Sequence, residues 1–150
     1  MSEPLNELLI RHEGLRLKPY KDTVGKWTIG VGRNIDDLGI TRDEALALLQ
    51  NDIERCRCEL NKAFPWWIKL GEVREAVLLS LCFNLGITKL LSFKTTLGLI
   101  ENGQYAAAAD RLLTLPWASQ VGSAPPSPQH PHGQRAYELT QMLRTGTWCT

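Results

Sequence analysis

Apolar residues return every three or four positions along most of this chain, and the period fails in two places. Leu5, Leu8, Leu9 and His12 keep it, so residues 4–14 predict a first helix with Glu13 near its end and Gly14 as its stop. Over 18–36 it gives way to Trp27, Ile29 and Val31 alternating with Gly30 and Gly32. That predicts a small antiparallel sheet with Asp22-Thr23-Val24-Gly25 as its first turn. Thr41-Arg42-Asp43-Glu44 is a capping box, in which the threonine and glutamate side chains each answer one orphan backbone amide. A helix starts there, carries Ala45, Leu46, Leu48, Leu49, Ile53, Cys56 and Leu60 on its apolar stripe to about Ala63, and ends at Pro65.

Beyond it, one ring of the Trp66-Trp67 pair is expected to pack into a helical core. Glu72–Leu85 is apolar on nearly every side and closed by Gly86, which predicts the central helix of the larger lobe. Ser92 is expected to cap a helix running to Asn102-Gly103, Gln104 to Leu115 forms another, and Pro116 breaks the pattern. The second failure of the period is Val121–Gly133, where four prolines in thirteen residues preclude a regular helix. A last helix follows from Gln134 to Arg144. The pattern is that of a mainly helical α+β protein.

At 150 residues, 43% hydrophobic and 22% charged, the chain has the size and balance of one globular domain with a sizeable core. A net charge of +1 gives little pull toward nucleic acid or an anionic membrane, so neither is expected as a partner. No apolar run reaches the roughly 18–20 residues needed to cross a bilayer. The start, Met1–Glu7, carries acids where a secretory signal carries positive charge, so accumulation in the cytoplasm is expected. Cys56, Cys58, Cys82 and Cys149 form no Cys-x-x-Cys ligand pair and read as buried or idle thiols. His130 and His132 flank a proline without a third ligand, and His12 has nothing nearby to complete a proton relay. No metal or cofactor is expected.

The chemistry concentrates between Glu13 and Arg33, EGLRLKPYKDTVGKWTIGVGR. Glu13, Asp22 and Thr28 place two carboxylates and a hydroxyl within sixteen positions. If the hairpin folds back over the first helix, the three face one cleft. That suits acid-assisted cleavage of an acetal bond, where one carboxylic acid protonates the leaving oxygen and a second, ionised carboxylate helps water or carries charge. Spacing alone does not carry this far, since most such carboxylate pairs are solvated surface charges.

The motifs Glu13-Gly14-Leu15-Arg16-Leu17-Lys18, Tyr20-Lys21-Asp22-Thr23 and Thr28-Ile29-Gly30-Val31-Gly32, with Arg144-Thr145-Gly146-Thr147-Trp148 at the far end, resemble the phage-type lysozymes of glycoside hydrolase family 24. The resemblance runs from about residue 8 to 148, dense at 13–32 and 144–148. It implies a lysozyme-like fold in one catalytic domain, 1–150, with the active-site cleft between two lobes that close by a hinge. These are a small sheet lobe over about 14–40, a linking helix over about 42–63, and a helical lobe over about 66–150 joined by the N-terminal helix.

The resemblance further implies Glu13 as general acid, with Asp22 and Thr28 holding the attacking water or the developing charge. Arg135 is implied to lie against the glutamate; Phe83, Asn84 and Thr96 match the helical side of the cleft, and Gly30 supports the sheet side. The implied activity is that of an endolysin muramidase, a monomer acting on peptidoglycan glycan strands by inversion, and dependent on a separate pore-former, a holin, to reach the wall. A lytic transglycosylase, or an inactive wall-binding module on the same scaffold, are the competing readings. Asp22 and Thr28 speak against the first, and the presence of both carboxylates against the second. Two departures stand out. Arg33 occupies the place of a histidine found in the T-even coliphage members, and cannot lose its proton near neutral pH. The proline-rich stretch immediately precedes Arg135.

Overall fold

In a computed structural model the described residues are 3–149. The order is α1 (Glu3–Glu13), β1 (Arg16–Lys21), β2 (Trp27–Gly30), β3 (Arg33–Asn34), α2 (Arg42–Ala63), a 3-10 turn at Pro65–Lys69, α3 (Glu72–Leu85), α4 (Ile87–Leu91), α5 (Lys94–Glu101), α6 (Tyr105–Leu113), α7 (Pro116–Val121) and α8 (Arg135–Thr145). The fold is α+β, helices with one small antiparallel sheet ordered β1-β2-β3. The chain divides into two compact units, residues 1–49 and 50–150, the division falling inside α2.

In the first unit, α1 ends where the Gly14 amide donates to the Ile10 carbonyl at 2.8 Å. The hairpin pairs Arg16 with Gly30, Tyr20 with Thr28 and Lys21 with Trp27, with an irregular register between Arg16 and Tyr20. β2 continues into β3 through pairs Thr28 with Asn34 and Ile29 with Arg33, so Thr28 sits in the middle of the sheet. The capping box forms as expected: the Thr41 amide donates to Glu44 Oε2 at 2.8 Å, and the Glu44 amide to Thr41 Oγ1 at 3.2 Å. Arg33 supplies what the sequence left open. Its guanidinium donates to Glu44 through two nitrogens at 2.9 and 2.8 Å, and to the Gly39 carbonyl at 3.2 Å, tying β3 to the start of α2. The hydrogen bond from Arg33, then that from the Thr41 backbone, holds the Glu44 carboxyl down at about 2.

The second unit holds the hydrophobic core, in which α3 contributes Val77, Leu78, Leu81 and Cys82, joined by Leu112 of α6 and Leu143 of α8. Trp67 is the buried ring of the tryptophan pair, its indole donating to Asn61 Oδ1 at 2.6 Å, while Trp66 stays half-buried against Phe64. Arg74 lies over the Tyr105 ring at 3.7 Å and donates to the Leu143 and Arg144 carbonyls at 2.8 and 3.0 Å. A cation thus closes the negative end of α8.

Two local expectations are corrected. Ser92 does not cap a helix: α4 intervenes, Ser92 donates its hydroxyl back to the Lys89 carbonyl at 2.5 Å, and α5 starts after Phe93 without a side-chain cap. Pro116 ends one helical run but also opens α7, because a missing amide and a preset φ suit the first helical position.

Candidate active site

Glu13, Asp22 and Thr28 all belong to the first unit. Asp22 is built into the hairpin turn. Its Oδ1 accepts from the Val24 amide at 3.0 Å and the Lys26 amide at 2.8 Å, while its own amide donates to the Lys26 carbonyl at 2.9 Å. An aspartate folds this way because its short carboxylate reaches amides two and four residues on. Both side-chain bonds use Oδ1, so Oδ2 has no protein partner among the described residues.

Thr28 is 3% exposed, and its hydroxyl donates to the Lys26 carbonyl at 3.1 Å. With its proton committed, the Thr28 oxygen keeps its lone pairs for an incoming donor. Asp22 and Thr28 are therefore brought together through one residue, Lys26, whose amide serves the first and whose carbonyl serves the second. Nothing in the residue type of Lys26 announces this role, which its backbone performs. Its side chain turns to Asp37 at 3.0 Å.

Glu13 lies at the other end of the sheet. Its carboxylate rests against Gly32, where an added Cβ would stand 2.8 Å from Glu13 Oε2. The group that comes close to Gly32 is the Glu13 side chain. Glu13 also borders an open hollow of about 450 Å³ lined by Asn6, Leu9, Ile10, Val31 and Gly32. Asp22 and Thr28 do not line it. Among the described residues no hydrogen bond joins Glu13 to either, and Glu13 itself is exposed.

Of the other residues named from the sequence, Asn84, Phe83, Thr96 and Arg135 lie in the second unit and Gly30 in the first. Asn84 is exposed, and its Oδ1 accepts the Trp117 indole N–H at 2.9 Å, which leaves its amide hydrogens free. Phe83 is 45% exposed at the end of an otherwise apolar helix. Thr96 is buried on α5 and borders a small hollow of about 100 Å³ with Phe93, Lys94 and Arg111. Gly30 closes β2 at φ +69, with nothing near the position a Cβ would take.

Arg135 is the first residue of α8, and the preceding loop is closed on itself. Ser127 and His130 exchange backbone hydrogen bonds at 2.9 and 3.0 Å. The Gln134 amide donates to the Ala124 carbonyl at 2.9 Å, Gln134 Oε1 accepts from the Ala124 amide at 3.0 Å, and the Ala136 amide donates to the Gly122 carbonyl at 2.8 Å. Arg135 is thus bracketed by two anchored neighbours despite the prolines before it.

Comparisons with known proteins point one way. The family model described as phage lysozyme matches residues 10–126. An endolysin of Acyrthosiphon pisum secondary endosymbiont phage 1 is 34% identical over 125 residues, covering 81% of this chain and 83% of that protein. The probable T4-type lysozyme 1 of Dictyostelium discoideum is 26% identical over 176 aligned positions, covering 98% and 97%. A SAR-endolysin of Escherichia phage Mu is 28% identical over 113 residues, covering 73% of this chain and 64% of that protein.

Proposed function

The chain belongs to the phage lysozyme family, and on that premise we propose that it is an endolysin muramidase hydrolysing the β-1,4 bond between N-acetylmuramic acid and N-acetylglucosamine. The observation that carries the assignment is the joint anchoring of Asp22 and Thr28 on Lys26, in the same unit as Glu13. An anion and a hydroxyl held by one residue form a seat for a water molecule, while the acid on α1 is separately positioned.

In this reading Glu13 passes its proton to the glycosidic oxygen as the bond to the sugar carbon breaks. Water accepts a place between Asp22 Oδ2 and the Thr28 oxygen, attacks the same carbon, and gives its proton to Asp22. Glu13 is exposed in the free protein, so we assign the exclusion of water from its carboxyl to the bound glycan. Arg135, Asn84, Phe83, Thr96 and Gly30 act as supporting positions. The glycan cleavage itself uses no metal, and the working unit is a monomer. It accumulates in the host cytoplasm and reaches the wall after a holin opens the inner membrane. No helix among the described residues is long and apolar enough to cross a membrane.

Mass spectrometry of peptidoglycan digested by the parent, Glu13→Gln and Asp22→Asn tests the assignment. Reducing muramic ends are expected from the parent and from neither variant. Anhydromuramic ends would make the enzyme a transglycosylase, and intact glycan with retained wall binding would make it an inactive module.

A further inference from the structure

The second unit contains a cluster of ligating side chains that glycan cleavage does not use. Cys56 of α2 and Cys82 of α3 are each 1% exposed. Glu59 stands one turn beyond Cys56, and the three ligand atoms all lie within 4.8 Å of one another. Cys82 Sγ is 3.5 Å from Glu59 Oε2, while Glu59 Oε1 faces Arg55 Nε at 4.0 Å.

We propose that Cys56, Glu59 and Cys82 form a binding site for a thiophilic d10 divalent cation, Zn²⁺ or its stand-in Cd²⁺, which clamps α2 to α3. Ligand type selects the ion, since two sulfurs and one carboxylate suit zinc-like cations and not magnesium or calcium. Spacing agrees. Positions three apart share a helix face, and a tetrahedral zinc with sulfur at about 2.3 Å and oxygen at about 2.0 Å sets those two ligands about 3.5 Å apart. The separation between Cys82 and Glu59 is already that distance, and the Cys56 sulfur lies within 4.8 Å of both ligand atoms.

Two thiolates and a carboxylate against a dication leave one negative charge, and Arg55, shared with Asp52 at 2.8 Å, stands 4.0 Å from the outer carboxylate oxygen. Each thiol that binds the cation gives up its proton to solvent as its metal–sulfur bond forms. The Glu59 side chain is 32% exposed, which gives the cation an entry path and a water its fourth coordination position.

The test uses the full chain, reduced, with Cys58→Ser and Cys149→Ser so that only the two proposed thiols remain. Titration with Cd²⁺ is followed by the ultraviolet thiolate-to-metal charge-transfer band, and Zn²⁺ is then added as competitor. The band is expected to saturate at one equivalent and to be displaced by Zn²⁺, and Cys82→Ala is expected to abolish it. Because a core cysteine variant can fail to fold, Glu59→Gln carries the decision. It should weaken Cd²⁺ by at least about tenfold, a loss seen even when only an outer partner of a metal ligand is removed. Absence of a band, a band that rises without saturating, or affinity unchanged in Glu59→Gln would overturn the proposal. The readout is independent of glycan cleavage.

Discussion

Asp22 Oδ1 already accepts two backbone hydrogen bonds, so replacing the carboxylate by an amide leaves that acceptor in place and removes the charge. Asp22→Asn should therefore unfold within a few degrees of the parent, while wall hydrolysis falls by about 10²–10⁴, the range for a lost acid–base group. Thermal melts beside turbidity clearance separate the two effects. Unfolding far below the parent would mean that the charge itself holds the turn.

Gly32 offers a second separation of stability from activity. Gly30 and Gly32 share nearly the same left-handed φ, +69 and +68, yet only at 32 would a Cβ meet the Glu13 carboxylate. Alanine at either position should cost about 1–3 kcal/mol of backbone strain. Only Gly32→Ala should also displace the acid, lowering turnover up to about 100-fold. Measuring kcat for both variants decides the point. An equal loss at Gly30→Ala would show that displacement of the Glu13 carboxylate is not the cause.

At the scale of elements, the start of α2 depends on Glu44 staying ionised. Its folded pKa is depressed, about 2 against an ordinary 4.5. The contribution of the cap and the Arg33 pair is thus complete above about pH 4.5 and is lost as pH falls through about 2. Unfolding temperatures across that acid window should fall more steeply for the parent than for Glu44→Gln, and parallel curves would mean the pair contributes nothing. Near neutrality the parent should be flat at this position. Arg33→His reverses the window: an imidazolium gaining a carboxylate partner has a raised pKa, so its stabilisation is present below about pH 6.5 and is lost at higher pH. Melts at about pH 5.5 and about pH 8 should differ in that variant alone.

The caps also show how far local reading carries. Thr41 and Glu44 act on each other's amides, a matter settled within four residues, and α2 begins where the motif says. Ser92 belongs to the same residue class, but its hydroxyl found the Lys89 carbonyl behind it, because α4 had already bent the chain there. No short motif announces that helix.

For the molecule as a whole, the distribution of burial sets an order of stability. Among the described residues every apolar side chain of the core lies at Cys56 or beyond, and Thr28 is the one buried residue before it. The first unit is held chiefly by backbone pairing, the Asp22 turn and the Arg33–Glu44 pair. Hydrogen exchange should therefore open β1–β3 and α1 well before α3, α6 and α8. Equal protection in the two units would show that the sheet shares the global unfolding free energy.

The sequence by itself determined most of the elements and the local chemistry: the helical period, the Asp22 turn, the Thr41 cap and the spacing of Glu13, Asp22 and Thr28. Each depends on hydrogen bonds or apolar repeats a few residues long. Only the tertiary structure decided which distant groups meet. Arg33 found Glu44 eleven positions away, Asn84 found the Trp117 indole, Glu13 settled against Gly32, and two cysteines with no motif spacing came together beside Glu59. Such pairs are fixed by how helices and strands pack to bury apolar surface, and apolar burial has no direction along the chain.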